Sequence, residues 1–271
     1  MAPSVSGREG KNPFPERLFV VPSAEELARA AAGRIWGIVR ERAAMLARGG
    51  KASPAIHVAL SGGETPRRAY ELLSSEPYRT RFPWESVHFY QVDERWVPPE
   101  DPRSNRRMLA ETLLGRAPVP GPNFHPVDTS LSRPEDGALR YEESLRAMFP
   151  DPPGGVPRFD AVLLGIGKDG HTASLFPGAP DLAGSGAWVA AVAGGEPPVP
   201  RVTLTLSVLC AAAQVIFLVS GREKANALAR VLAGDPSLPA SRVSTARGKV
   251  TFLADAPAAS LAMRKGGGGK R

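Results

Sequence analysis

The sequence predicts an α/β fold of three layers, a Rossmann-like, mostly parallel sheet with helices on both faces. Three observations point to it. Apolar runs too short for a lone helix recur along the chain, Ala161-Val162-Leu163-Leu164 among them, without the polar alternation of a strand wetted on one side. Longer segments with helical spacing lie between these runs. Several of the runs end in turns rich in glycine, at the strand ends where an open parallel sheet keeps its ligand crevice.

Leu18 to Val21 is the first predicted strand. Ser23 and Glu26 form a capping box for an Ala/Leu-rich helix that runs to about Arg48 and stops at Gly49-Gly50. Ile56 to Leu60 is the second strand. After Ser61-Gly62-Gly63-Glu64-Thr65-Pro66 a helix passes through Tyr70 to Leu73, with Thr65 as the expected N-cap and Pro66 as its first residue. Val87 to Val92 is a third strand ending in Asp93-Glu94-Arg95-Trp96. Ser104 is expected to cap a helix from Asn105 to Leu114, and Ser132 to Glu135 to open one that runs to Met148. The central strand, Ala161 to Leu164, breaks at Gly165. A short strand at Trp188 to Val192 and an alternating one at Arg201 to Leu206 follow. Val215 to Val219, a helix from Arg222 to Leu232 and a last strand at Val250 to Leu253 complete the pattern. Residues 16–262 are expected to form one domain, with a flexible segment at 1–15 and a disordered tail at 263–271.

Composition narrows the function. Lys and Arg number 34 against 27 acidic residues, a net charge of +7, which suits nucleic acid or an anionic metabolite. The arginines are spread along the chain without a basic run, and no nucleic-acid-binding motif is present, so a solvated Arg-rich surface is the reading and no nucleic-acid partner is expected. No apolar span is long enough for a membrane, and the N-terminus lacks the order of a signal peptide. Cys210 is the only cysteine, which points to a reducing, cytoplasmic setting.

Three stretches carry candidate chemistry. The loop after the second strand offers free N–H groups and a helix dipole to an anion, although two glycines alone also fit a tight turn. Asp93-Glu94-Arg95 reaches the same rim, or is a charged surface turn. Past the central strand, Gly165, Gly167 and Gly170 surround Lys168, Asp169, His171, Thr172 and Ser174. An imidazole titrates near neutral pH, so His171 is a candidate general base. Lys224 opens a helix, where a cation opposes the dipole; that hints at a bound anion. The four histidines (His57, His88, His125, His171) are scattered, with no metal-ligand spacing, and no metal is expected. Ser174 lacks the elbow of a covalent nucleophile.

The stretch GIGKDGHTASLFPG resembles the signature of the 6-phosphogluconolactonases. Four further segments resemble that family in the same order: Ser61 to Pro66 its phosphate loop, Asp93 to Pro98 with Ser104-Asn105 its DERxVP…SN segment, Arg201 to Thr205 its RxTLT strand, and Ser220 to Lys224 its SGxxK helix start. The resemblance implies hydrolysis of 6-phospho-D-glucono-1,5-lactone to 6-phosphogluconate, the second step of the oxidative pentose phosphate pathway. It agrees with His171 as the base, Asp169 as orienter of the loop or the substrate, since residues two apart need not face each other, and Arg95 with backbone N–H groups at the oxyanion. Gly62, Gly63, Thr65, Arg201 and Lys224 would hold the 6-phosphate. Ser61, Asp93, Asn105, Gly167 and Lys168 join the expected substrate contacts. A monomer acting on a small sugar-phosphate lactone without a cofactor is expected.

Two alternatives are set against it. The glucosamine-6-phosphate deaminases of the same superfamily have a loop resembling DGHIAFNEP, with a Glu where this chain has Phe176. A non-catalytic sugar-phosphate sensor would carry a DNA-binding segment ahead of the domain, and only a short polar stretch precedes Leu18 here.

Overall fold

A computed structural model of the chain describes residues 18–49, 55–179, 186–195, 198–245 and 249–266. Seven parallel strands form the main sheet, in the order β1 (Leu18–Val21), β10 (Lys249–Asp255), β9 (Gln214–Val219), β6 (Ala161–Gly165), β2 (Ile56–Leu60), β3 (Val87–Gln91) and β5 (Phe124–His125). Helices α1 (Ala24–Arg48), α2 (Glu64–Leu73) and α4 (Asn105–Leu109) pack on one face. Helices α5 (Pro134–Met148), α7 (Ala225–Leu232) and α9 (Ala256–Gly266) pack on the other. Short helices α3 (Tyr78–Arg81), α6 (Leu206–Ala211) and α8 (Pro239–Arg242) fill connections.

The apolar runs explain the layering. Along β6, Ala161 and Leu163 join the core under α1 and α2, while Val162 and Leu164 join the core under α5 and α7. Burying each such Val or Leu contributes about 1.5–3 kcal/mol, so a strand covered on both sides selects an unbroken apolar run.

The structure departs from the sequence reading at several points. Asp93–Arg95 is not the tail of the third strand. It is a separate strand, β4 (Asp93–Arg95), in an antiparallel sheet with β8 (Val199–Leu204) and β7 (Val189–Gly194). The chain changes sheets at Val92, whose N–H bonds Leu60 O at 3.0 Å and whose carbonyl accepts the Leu204 N–H at 2.8 Å. Three ionisable side chains have no place between two helix layers, and the second sheet gives them other surroundings.

Thr65 is not the N-cap of α2. The helix starts at Glu64 behind Gly63, whose φ of 99° turns the chain into it. Ser104 does cap α4, but a π turn at Ala110–Leu114 follows, and α5 starts at Pro134 behind an uncapping Arg133. The alternation through Leu206 breaks at Thr205, and Leu206 opens α6. Lys224 ends a 3-10 turn, Arg222–Lys224, ahead of α7. Helix α9 was not expected and runs into the segment read as a disordered tail; Asp255 caps it through the Ala258 N–H at 2.8 Å. The segments at 1–15 and 267–271 lie outside the described residues.

Three histidines meet near the amino ends of β2 and β3. His88 Nδ1 lies 2.9 Å from His125 Nε2, and His57 Nδ1 lies 2.9 Å from the Tyr90 hydroxyl. Burial, aided by the neighbouring imidazoles, pushes His57 and His125 down to about 4. Burial lowers His88 as well. The unfolded chain therefore takes up protons first, so stability is full above the ordinary histidine value and falls as pH drops toward 4. Partial solvent access should hold the loss between pH 7.5 and pH 5 to about 1–3 kcal/mol. Urea midpoints at the two pH values measure it, and His125→Gln should narrow the difference.

Candidate active site

Strands β2 and β6 pair only through Val58↔Ala161 and Ala59↔Val162. From β2 the sheet grows outward to β3 and β5, and from β6 outward to β9 and β10. Such a reversal leaves a crevice at the carboxyl ends of the strands. A cleft of about 340 Å³ opens there. Its walls come from the loops after β2, β6 and β9 and from side chains of β4 and β8.

The loop after β6 supplies an imidazole with a carboxylate behind it. His171 Nδ1 lies 2.6 Å from Asp169 Oδ1, and the same oxygen accepts the His171 backbone N–H at 3.1 Å. The sequence left open whether residues two apart would face each other. They do, because Gly170, at φ 86°, folds the loop back on itself. A carboxylate only accepts, so Nδ1 carries the proton and Nε2 keeps its lone pair. Burial tends to raise the Asp169 pKa, but the His171 N–H groups outweigh it and hold the carboxyl below its ordinary value. Gly167 makes room: a Cβ there would come within 2.1 Å of His171 Nδ1 and 2.4 Å of Asp169 Oδ1.

Cations line the same cleft as His171. Arg201 on β8 stands beside Arg95 on β4 in the strand register. Arg201 Nε donates to Gly194 O at 3.2 Å, and Asp93 Oδ2 is 3.9 Å from its Nη1. Burial lowers the Arg201 pKa, with Asp93 working against it. Burial lowers that of Lys224 too, helped by Lys168 and opposed by Glu223 and Asp169. Arg95 donates from Nη1 to Arg103 O at 2.6 Å, while its buried Nε has no partner among the described residues. Three cations around a glycine loop suit a phosphate dianion.

The family of glucosamine-6-phosphate isomerases/6-phosphogluconolactonase matches residues 22–252. The chain belongs to this family. A 6-phosphogluconolactonase of Synechocystis sp. is 38% identical over 200 residues, 73% of this chain and 81% of the relative. One from Thermotoga maritima is 41% identical over 201 residues, 73% of this chain and 84% of the relative. The crystal structure of 6-phosphogluconolactonase from T. maritima superimposes with a TM-score of 0.71 at 34% identity, covering 88% of this chain and 99% of that one. That from Trypanosoma brucei gives 0.75 at 31% identity, over 90% and 97%. A monomeric glucosamine-6-phosphate deaminase gives 0.75 at 21% identity, over 90% and 99%, a likeness of fold alone.

The lactonase-like residues read from the sequence fall into three groups. His171, Arg95, Gly62, Gly63, Thr65, Asp93, Asn105, Gly167, Arg201 and Lys224 line the cleft. Ser61 lines it too, but its hydroxyl donates to Leu163 O at 2.6 Å and so ties β2 to β6 where their pairing ends. Asp169 stands behind His171, and Lys168 is exposed outside the lining. Asn105 backs the loop from Ser61 to Pro66: its Nδ2 donates to Asp93 O at 2.8 Å, and a Cβ on Gly62 would come within 1.8 Å of its Oδ1. Ser174 donates to Asp93 Oδ2 at 2.6 Å and is buried, which suits a tie rather than a nucleophile.

Sequence reasoning did not assign Glu94 or Asp255. Alternation along β4 turns Asp93 and Arg95 to the cleft and Glu94 away from it, a signal present in the period of two. Asp255 accepts from Ser220 Oγ and from the Gly221 N–H at 3.1 Å, holding the loop that leads to Lys224. It sits in an apolar strand with no local motif. Among the described residues, no three His, Cys, Asp or Glu side chains group as a metal site, and no helix is long and apolar enough to cross a membrane.

Gly167→Ala tests the geometry of the pair. The added methyl displaces the imidazole or the carboxylate, so kcat should fall about 10²-fold, the scale of a small misplacement of a reacting group. Thermal melting should shift far less, since the site lies on a loop.

Proposed function

We propose that the chain hydrolyses 6-phospho-D-glucono-1,5-lactone to 6-phospho-D-gluconate, the second step of the oxidative pentose phosphate pathway. The observation that carries this reading is the Asp169–His171 pair in one cleft with Arg201 and Lys224. His171 Nε2 takes a proton from water as the water oxygen attacks the lactone carbonyl carbon. Arg95 and nearby backbone N–H groups stabilise the oxyanion. When the tetrahedral intermediate collapses, the bond from that carbon to the ring oxygen breaks. The ring oxygen then takes the proton from Nε2, which restores the base. Asp169 holds the tautomer and stabilises the imidazolium between the two transfers.

Arg201 as a fork and Lys224 as a point charge hold the 6-phosphate, with the N–H groups of Gly62 and Gly63 and the Thr65 hydroxyl. Asp93, Asn105 and Gly167 shape the sugar subsite. This scheme calls on no cofactor or metal. Every group it uses comes from one chain, which supports a monomer, and a phosphorylated metabolite with a lone cysteine supports the cytoplasm. Deaminase chemistry is disfavoured, because Phe176 stands where that loop has its Glu.

The assay forms fresh lactone in situ with glucose-6-phosphate dehydrogenase and follows 6-phosphogluconate above the spontaneous background. His171→Ala should lose about 10²–10⁴-fold in kcat, the usual contribution of a general base. A variant as fast as the wild type would remove that assignment. Arg201→Ala should raise KM for the phosphorylated lactone at least about tenfold, the loss of one charge-assisted contact, and leave the unphosphorylated lactone nearly unaffected. Equal losses on both would show that Arg201 does not read the phosphate.

A further inference from the structure

We propose that Phe176 is a positioning residue whose ring, packed against both the His171 imidazole and the Arg201 guanidinium, holds the two ends of the site in a single geometry. This rests on the reading of His171 as base and Arg201 as phosphate fork. The two ring centroids, His171 and Phe176, lie 4.9 Å apart with planes inclined at 47°. The Arg201 guanidinium carbon sits over the same phenyl ring, 5.5 Å from its centroid. Phe176 is half-buried and does not line the cleft, so it reaches substrate only through its two neighbours.

The slot for the ring is built by β7. A Cβ on Gly194 would come within 2.5 Å of the phenyl carbons, and the carbonyl of that same glycine accepts from Arg201 Nε at 3.2 Å. A Cβ on Gly195 would come within 2.4 Å of Arg201 Nη2. Two small residues at one strand end thus admit the phenyl ring and the guanidinium together.

Polar contacts hold each neighbour at its edges, Asp93 Oδ2 adding a 3.9 Å ion pair at Arg201 Nη1. Asp169 grips one edge of the imidazole, which leaves its faces open to rocking; the phenyl ring closes one face. Gly194 O holds Arg201 at Nε; the ring supports the plane of the fork, the arrangement a guanidinium prefers on an aromatic face. An aliphatic side chain of similar volume would fill the slot without supplying a flat face to either group.

The test compares Phe176→Leu with Phe176→Tyr, on phosphorylated and unphosphorylated lactone, beside His171→Ala and Arg201→Ala. Phe176→Leu should lower kcat about tenfold on both substrates, through the loosened base, and raise KM about tenfold on the phosphorylated one alone. Phe176→Tyr, which keeps the ring, should stay within about threefold of wild type. A folded Phe176→Leu with wild-type kcat and KM overturns the proposal, as does a Phe176→Tyr equally impaired. If the leucine variant does not fold, NOEs between Phe176 ring protons and the His171 Hδ2 or Hε1 of the wild-type protein decide, and their absence overturns it. Fully active His171→Ala or undiscriminating Arg201→Ala would sink the underlying reading instead, whatever position 176 does.

Discussion

The wall of the cleft depends on one buried carboxylate. Glu94, 1% exposed, accepts from Gln91 Nε2 at 2.8 Å, the Arg95 N–H at 2.8 Å, Ser104 Oγ at 3.1 Å, and the Asn105 and Arg106 N–H groups at 2.7 Å each. These donors belong to β3, to β4 and to the start of α4. Burial raises the Glu94 pKa, while the donors pull the other way. Bonds to a charged group contribute about 1.5–3 kcal/mol each, so five of them recover much of the desolvation that an unpaired carboxylate would suffer, although burial still prevails in the net shift. The result is a rigid corner where the chain leaves the parallel sheet. Because β4 alternates, fixing Glu94 on one side fixes Asp93 and Arg95 on the other, in the cleft.

The same device recurs at the other anchor points. Asp255 gathers Ser220 Oγ and the Gly221 N–H and also caps α9. Asp169 gathers two N–H groups of His171. In each case an acid at a turn collects donors that a bend would otherwise leave unpaired, and the residue so fixed is one that faces the cleft. The cations, by contrast, are left undercompensated: burial depresses both Arg201 and Lys224. A bound anion would relieve that penalty by pairing with both cations.

The main sheet was legible because a strand buried on both faces needs an apolar run: β6 and β9 each have one, and β2 is interrupted only by His57. The loops after them were legible because each carries glycine at a strand end, where it fits a ligand crevice as well as a tight turn. In the second sheet β7 and β8 were legible as strands, but β4 and the pairing were not. Asp93-Glu94-Arg95 reads as a charged turn, and only the partner strand, more than a hundred residues on, turns it into β4. Thr65 misled for a local reason: its propensity to cap lost to the positive φ open to Gly63. Asp255 and Phe176 were illegible as site residues, since each acts through a contact across the fold. The Asp169–His171 pair lay between these cases, its members evident and their facing dependent on Gly170.

Fold does not separate the two chemistries of this family, since a deaminase with 21% identity superimposes over 90% of the chain. One difference read from the sequence, Phe176 where the deaminase-like loop has Glu, lies in the loop after β6, and that loop is tied down along its length. The Gly167 N–H bonds His171 O at 2.8 Å, Thr172 Oγ1 donates to Gly165 O at 2.9 Å, and Gly170 O accepts the Ala240 N–H at 3.2 Å. Ser174 bonds both Thr203 and Asp93, joining the loop to β8 and β4. A segment with so many ties has its donors and acceptors oriented before a substrate arrives, which is the condition for electrostatic stabilisation without reorganisation at the moment of reaction. The backbone that carries the imidazole is thus fixed at both ends of the loop before any ligand binds.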